Sequence, residues 1–255
     1  MRSILLCLAL LTCAAPAANI VIMTVEDPNN YESPRTMREF AEKELRPLGH
    51  RVTIIDGDKP QMHHFAGLVE ALKDADLLVL FSRRRFPPKD QMAAIRAHLA
   101  AGKPLLGIRT ANHAFLPKPN EVVDPSLSPW PEFTHEVLGG ENTGYETKGL
   151  PYGVSIAPGA ESSALVKGVN VANIQGYQSM YKVLPLAADA TPVLMVPLRP
   201  EPRHRRSRSR GRALTVQAKP ASSTPASARR KICARPMSSG CCSMPWRGLC
   251  KNNPS

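Results

Sequence analysis

LLVLFSRRRFPPKDQMAAIRAHLAAGKPLLGIRTANHAF, residues 77–115, is the stretch that decides the fold. Leu77–Phe81 and Pro104–Ile108 are apolar runs of the length of buried parallel strands. Between them Met92, Ile95 and Leu99 recur at helical spacing. Pro87 and Pro88 suit the helix start, and Gly102 followed by Pro104 suits its stop. The stretch therefore predicts a βαβ unit. In open α/β sheets ligands gather outside the carboxyl ends of the strands, which here points to Ser82–Arg85 and Arg109–His113.

Working outward, Asn19–Val25 (NIVIMTV) reads as a strand. Thr36-x-x-Glu39 has the form of a capping box. Met37, Phe40, Ala41, Leu45 and Leu48 then make one apolar helical face, closed by Gly49. Arg51–Ile55 reads as a short strand, and Leu68, Val69 and Leu72 mark a helix ending near Asp74. The alternation up to Ile108 predicts an α/β fold, three layers around a mostly parallel sheet. Its near-continuous apolarity makes Asn19–Val25, Leu77–Phe81 and Pro104–Ile108 the expected central strands. A Pro-rich loop follows Phe115. Beyond it we expect a helix near 131–138, stopped by Gly139-Gly140, and strands over 152–156 and 193–196.

Charge divides the chain near residue 198. Of the 33 Lys+Arg and 21 Asp+Glu, residues 198–255 hold 14 and one (Glu201), leaving 19 basic and 20 acidic residues before them. The whole-chain charge of +12 is thus a property of the tail. Cysteine divides in the same way. Cys7 and Cys13 stand at the start, Cys233, Cys241, Cys242 and Cys250 in the tail, and none between. The body therefore offers no disulfide frame, thiolate metal site or cysteine nucleophile.

Residues 1–18 have the form of a secretory signal: Arg2 supplies charge, Ile4–Leu11 the apolar run and Ala14–Ala18 a small-residue cleavage region. A secreted or periplasmic protein is expected. No other segment approaches the roughly 20 apolar residues that span a bilayer, so no membrane anchor is expected in the mature form. The remaining body, 19–197, is long enough for one domain with its own core.

In order along the chain, Leu77–Phe81, Gln91–Gly102, the run GIRTANHAF (107–115), Trp130-Pro131-Glu132-Phe133, Leu138-Gly139-Gly140 and Ser179-Met180-Tyr181-Lys182 resemble the ThuA-like (trehalose-utilisation-type) family. That family lies within the class I glutamine amidotransferase-like superfamily. The resemblance covers roughly residues 19–197 and implies a flavodoxin-like sheet and a role in carbohydrate metabolism. An amidotransferase carries a cysteine two residues after a glycine at the sharp strand-to-helix turn. Here Gly107 is followed at that spacing by Arg109, which excludes a glutaminase of that mechanism.

The tail lacks Phe and Tyr and is poor in aliphatics, so it is expected to be disordered. Two readings account for it. One is a basic arm (Arg203 to Arg212) that binds nucleic acid. The other is translation out of frame. Codons built from the last base of one codon and the first two of the next permit EPVAWT over 207–212, VFYTSLG over 222–228 and RLLLNAVAW over 240–248. These strings look like a late strand, its turn and an amphipathic terminal helix. The shifted frame is the preferred reading, because it explains why the charge and cysteine anomalies begin together.

The candidate residues follow from the strand ends. Arg109 and Thr110 follow the second apolar run, and Arg83, Arg84 and Arg85 the first. Arginine suits bidentate recognition of carboxylates, and Arg84 and Arg85 are candidates beside Arg109. Asn112 and His113 suit binding or proton transfer, and Glu26, with Asp27, ends the first strand as a candidate acid or base. The expected catalytic set is His113, Glu26 and Thr110. The expected substrate-binding set is Arg84, Arg85, Arg109, Asn112, Tyr145 and Tyr181, the tyrosines as platforms for a sugar ring. Each has a plainer reading as an ion-pair, turn-bracing or core residue. Trp130 reads as a loop anchor. His63-His64 lacks helical ligand spacing and reads as surface. No metal and no cofactor are expected. The expected partner is a small carbohydrate-type ligand, with nucleic acid excluded and oligomeric state open. Isomerase or hydrolase chemistry on an oxidised sugar and a non-catalytic binding module are the two functional readings of this cleft.

Overall fold

A computed structural model describes residues 17–146, 151–177, 179–197 and 213–217. The leader expected over 1–18 lies, apart from its last two residues, outside them, as does most of the tail. Four strands form a parallel sheet: β1 (Asn19–Thr24), β2 (Arg51–Asp56), β3 (Leu77–Phe81) and β4 (Leu105–Gly107), in the order β2-β1-β3-β4. β1 pairs with both β2 and β3, and β3 with β4. The order is that of flavodoxin-like doubly wound sheets.

The two-residue period of the strands builds three layers. Val21 and Met23 of β1 and Leu78 and Leu80 of β3 point to one face. There they pack with Leu68 and Leu72 of α2 (Leu68–Lys73) and Met92 and Ile95 of α3 (Lys89–Ala100). Ile20, Ile22, Val79 and Phe81 point to the other face, against Met37 of α1 (Ser33–Phe40) and Ala41 beyond it. Each of the buried Val, Leu, Ile, Phe and Met side chains contributes about 1.5–3 kcal/mol, so β1 and β3 anchor both halves of the core. Gly102 ends the α3 segment with φ +74, a left-handed position that glycine takes without strain.

Several expectations are corrected. The apolar run 104–108 yields only the three-residue strand β4. It is the edge of the parallel sheet rather than a central strand, and Leu106 is 47% exposed. The chain beyond β4 adds no parallel neighbour among the described residues. It forms separate antiparallel pairings instead, β5 (Tyr152–Gly153) with β7 (Gln175–Gly176), and β6 (Ser155–Ile156) with β8 (Pro192–Pro197). The expected strand over 152–156 is thus two short strands in two different sheets. The capping box is not used. Pro34 presets the first turn, α1 begins at Ser33, and the Thr36 hydroxyl donates to the Tyr31 carbonyl from inside the helix. The helix near 131–138 shrinks to α4 (Phe133–Glu136). Of the tail expected to be disordered, only residues 213–217 are described, and they form β9 (Ala213–Gln217), antiparallel to β8. The short alternating run ALTVQ meets the free edge of β8, and ladder hydrogen bonds offset its ordering entropy.

Candidate functional site

The strand ends are tied together by Asn30. Its side-chain amide nitrogen lies within hydrogen-bonding distance of the Val25 carbonyl (3.2 Å), the Phe81 carbonyl (3.0 Å) and the Ser33 hydroxyl (2.6 Å). Its amide oxygen accepts from the Thr110 hydroxyl at 2.5 Å. One fully buried side chain thus fixes the exits of β1 and β3 to the turn after β4. Past the exits of all four strands, a non-glycine residue sits in the left-handed region: Tyr31 and Glu32 after β1, Asp58 after β2, Arg84 after β3 and Arg109 after β4. Such backbone costs roughly 1–3 kcal/mol per residue and gathers at functional sites.

Arg109 opens a 3-10 turn, Arg109–His113. Its Nη2 donates to the Tyr31 hydroxyl (2.7 Å) and to the Ser179 carbonyl (2.9 Å). The guanidinium carbon lies 4.5 Å from the Tyr31 ring centre and 5.3 Å from that of Tyr181. Burial alone would raise the Tyr31 phenol, but the hydrogen bond and charge of Arg109 outweigh it and hold the phenol below its ordinary range. Tyr181 moves up, through burial and the neighbouring Tyr31. The Nε of Arg109 is buried without a partner among the described residues.

Asn112 and His113 form the next step of the turn. His113 Nδ1 lies 2.5 Å from the Asn112 amide oxygen, and its ring meets Tyr181 edge-on at 5.7 Å. Burial, then the charges of Arg84 and Arg83, pushes the imidazole down to about 4. It is therefore neutral at pH 7, and donation from Nδ1 to Asn112 leaves Nε2 as the acceptor nitrogen. The amide oxygen of Asn112 is used, while its Nδ2 is buried and unpartnered among the described residues.

Between β4, α4 and the antiparallel strands lies a cavity of about 520 Å³. Arg109, Asn112 and Tyr181 line it, with Thr134, Tyr152 and Gln175 as further polar residues. Leu138, Val154, Ile174 and Leu194 contribute to a wall that is otherwise mostly aliphatic. The size is that of a small-molecule site.

The expected residues divide. Arg109, Asn112 and Tyr181 meet at the cavity. His113 sits behind them, touching Tyr181 and Asn112 without lining it. Thr110 is fully buried, donates to Asn30 and does not line the cavity. Arg84 donates to the Leu116 carbonyl at 2.7 Å. Arg85 is consumed by Asp58, with Nε donating to both carboxylate oxygens (2.8 and 2.7 Å), and it also lies 3.6 Å from Asp27. Neither arginine lines the cavity. Glu26 is exposed, and no hydrogen bond joins it to His113 among the described residues. Its neighbour Asp27, rather than Glu26, meets this arginine cluster, 3.5 Å from Arg83. Tyr145 is 67% exposed; its backbone bridges to Tyr181, but its ring is not part of the cavity. Trp130 anchors its loop, donating to Glu136 and lying under Arg96. Sequence reasoning missed Tyr31, whose role depends on a backbone turn no motif announces, and the aliphatic wall from the antiparallel strands. No group of three or more His, Cys, Asp or Glu among the described residues is arranged to hold a metal ion, and no helix there is long and apolar enough to cross a membrane.

These features define an α/β protein of flavodoxin-like strand order with its polar residues at the carboxyl edge of the sheet. Among solved structures, the fold is similar to that of a ThuA-like protein from Bacteroides uniformis, with a TM-score of 0.51 and 14% sequence identity, covering 71% of this chain and 69% of that one. At that identity the likeness is one of fold. No protein-family model matches the chain, and no curated protein matches it.

Proposed function

We propose that this chain is a secreted ThuA-like domain that binds a small oxidised carbohydrate derivative in the cleft of Arg109, Asn112 and Tyr181. The observation that carries the reading is the pair of buried N–H groups on two residues that line the cavity, Arg109 Nε and Asn112 Nδ2, that have no acceptor among the described residues. A buried donor left unpaired costs about 1–3 kcal/mol. A ligand carboxylate or hydroxyl that drew these groups round would recover that cost, and arginine suits a carboxylate best. Tyr181 offers the ring on which a sugar face packs. The ThuA-like structural neighbour and the sequence resemblance support the family, and the leader-like residues 1–18 support secretion.

The geometry favours binding over turnover. Isomerase or hydrolase chemistry needs an acid and a base converging on the ligand. His113 is neutral and suited to act as the base, but it stands behind the cavity wall and Glu26 does not meet it. The binding-module reading therefore rests on a specific feature of the site. Nucleic acid is not a partner in this account, since the basic surplus belongs to the tail. Calorimetric titration with D-glucuronate tests the reading. Binding is expected for the native chain and a loss of tenfold or more for Arg109→Gln. Equal affinity in the two would remove Arg109 from the site.

A further inference from the structure

The arginine run after β3 lies outside the cavity, and its three members are unequally committed. Arg85 Nε donates to both carboxylate oxygens of Asp58, and its Nη1 to the carbonyls of Arg83 (3.0 Å) and Arg84 (3.2 Å). Arg84 gives one N–H to the Leu116 carbonyl. The Arg83 side chain makes no hydrogen bond among the described residues, although only 25% of it is exposed. Its ion partner Asp27 stands 3.5 Å away and is shared with Arg85 at 3.6 Å, while the other Asp27 oxygen accepts from the Asn29 N–H. Three guanidinium groups thus meet two carboxylates, Asp27 and Asp58, which leaves a surplus of one positive charge. Glu26 and Glu121 are exposed, and solvated carboxylates offset little of it. His113 completes the cluster. The Arg84 N–H donates to the His113 carbonyl at 3.3 Å, which sets the turn after β4 against the arginine run. Burial, then Arg84 and Arg83, keeps the imidazole neutral at pH 7, with Asp27 acting the other way. With Nδ1 turned to Asn112, Nε2 is an acceptor that has no hydrogen bond among the described residues.

We propose that Arg83, Arg84 and His113 form a second binding site, separate from the cavity, for a small 2-hydroxycarboxylate. None of the three lines the cavity. The ligand carboxylate takes the uncommitted N–H groups of Arg83 and Arg84, whose planar forks match its two oxygens, and its single charge brings the cluster to neutrality. The ligand hydroxyl donates to His113 Nε2, which as a neutral imidazole nitrogen can only accept. Asp27 holds Arg83 in place by charge and leaves its hydrogen bonds to the ligand.

Calorimetric titration of the full chain at pH 7 with glycolate, acetate and inorganic phosphate tests the site. Glycolate is expected to bind several-fold more tightly than acetate, which lacks the hydroxyl, and more tightly than phosphate. Arg83→Gln breaks no side-chain hydrogen bond of the fold and should weaken glycolate about tenfold or more. Arg83→Lys, which keeps the charge and loses the fork, should fall between the two. Arg109→Gln should leave glycolate affinity unchanged. The nitrogen chemical shift of His113 Nε2 should move on saturation with glycolate and stay in place with acetate. Equal affinity for glycolate and acetate, or an unmoved Nε2 signal, would overturn the proposal, as would tighter binding of phosphate. Glycolate binding lost in Arg109→Gln and kept in Arg83→Gln would place the ligand in the cavity, overturning the second site while leaving the carbohydrate cleft standing. No binding by any probe would overturn it as well.

Discussion

Replacing Arg109 by glycine should leave a more stable protein than replacing it by alanine, the reverse of the usual order. Arg109 has φ +44, in the left-handed region, and no side chain is comfortable there. Either substitution removes the two hydrogen bonds from the guanidinium to Tyr31 and Ser179, about 1.5–3 kcal/mol each for a charged donor. Either also removes the two ring contacts, about 0.5–1 kcal/mol each. Both changes relieve the unpartnered Nε, which returns about 1–3 kcal/mol. These contributions are common to the two variants and cancel in the comparison. What differs is the backbone. Alanine keeps about 1–2 kcal/mol of left-handed strain, and glycine sheds it while giving the unfolded chain about 0.4–1 kcal/mol of extra entropy. The balance favours glycine by about 0.5–1 kcal/mol. For a domain of this size that is roughly 1–4 °C in melting temperature, within the resolution of differential scanning calorimetry. Both variants should lose uronate binding to the same degree, because both lack the guanidinium. A glycine variant that melts below the alanine variant would refute the strained turn on which the site is built.

Three further outcomes follow from the same geometry. His113 is pushed down to about 4 in the folded state against roughly 6.5 unfolded, so the unfolded state binds its proton first. The stability His113 contributes should be complete above pH 6.5 and fall as the pH drops toward 4. Urea titrations of His113→Gln should show a shallower acid-side slope, and an unchanged slope would mean that the imidazole is not shielded. Asn30→Ala should cost about 3 kcal/mol, read as a lower denaturation midpoint at constant m, because several buried partners at the exits of β1, β3 and β4 lose their bond at once; a cost below about 1 kcal/mol would deny it that tying role. Sequencing the gene across codons 195–203 should reveal a one-base insertion or deletion, and the frame-corrected protein should be more soluble. A clean gene together with salt-dependent nucleic-acid binding by the tail would reverse that reading.

The parallel half of the fold was legible because its signals are local. Leu77–Phe81 is apolar without interruption, its helix carries Pro and Gly punctuation, and the β-α-β alternation leaves few topologies open. The edge position of β4 was not legible. Pro104–Ile108 is as apolar as a central strand, and only the lack of a further parallel neighbour among the described residues, a tertiary fact, makes it an edge. The site divides in the same way. That Arg109, Asn112 and His113 lie at a strand exit follows from the sheet rule. Which partner each takes does not, because the adjacent Thr110 and Arg109 bind different residues of the loop after β1, Asn30 and Tyr31. Three successive arginines gave no means of telling which was paired. Asp58, which takes up Arg85, lies 27 residues away in the loop after β2.

A crystal structure of the full chain soaked with D-glucuronate tests the central claim most directly. The account predicts the carboxylate in the cavity, within hydrogen-bonding distance of Arg109 and Asn112, with the sugar ring against Tyr181. A ligand bound elsewhere, or density that leaves Arg109 Nε and Asn112 Nδ2 unpartnered at saturating concentration, would contradict it.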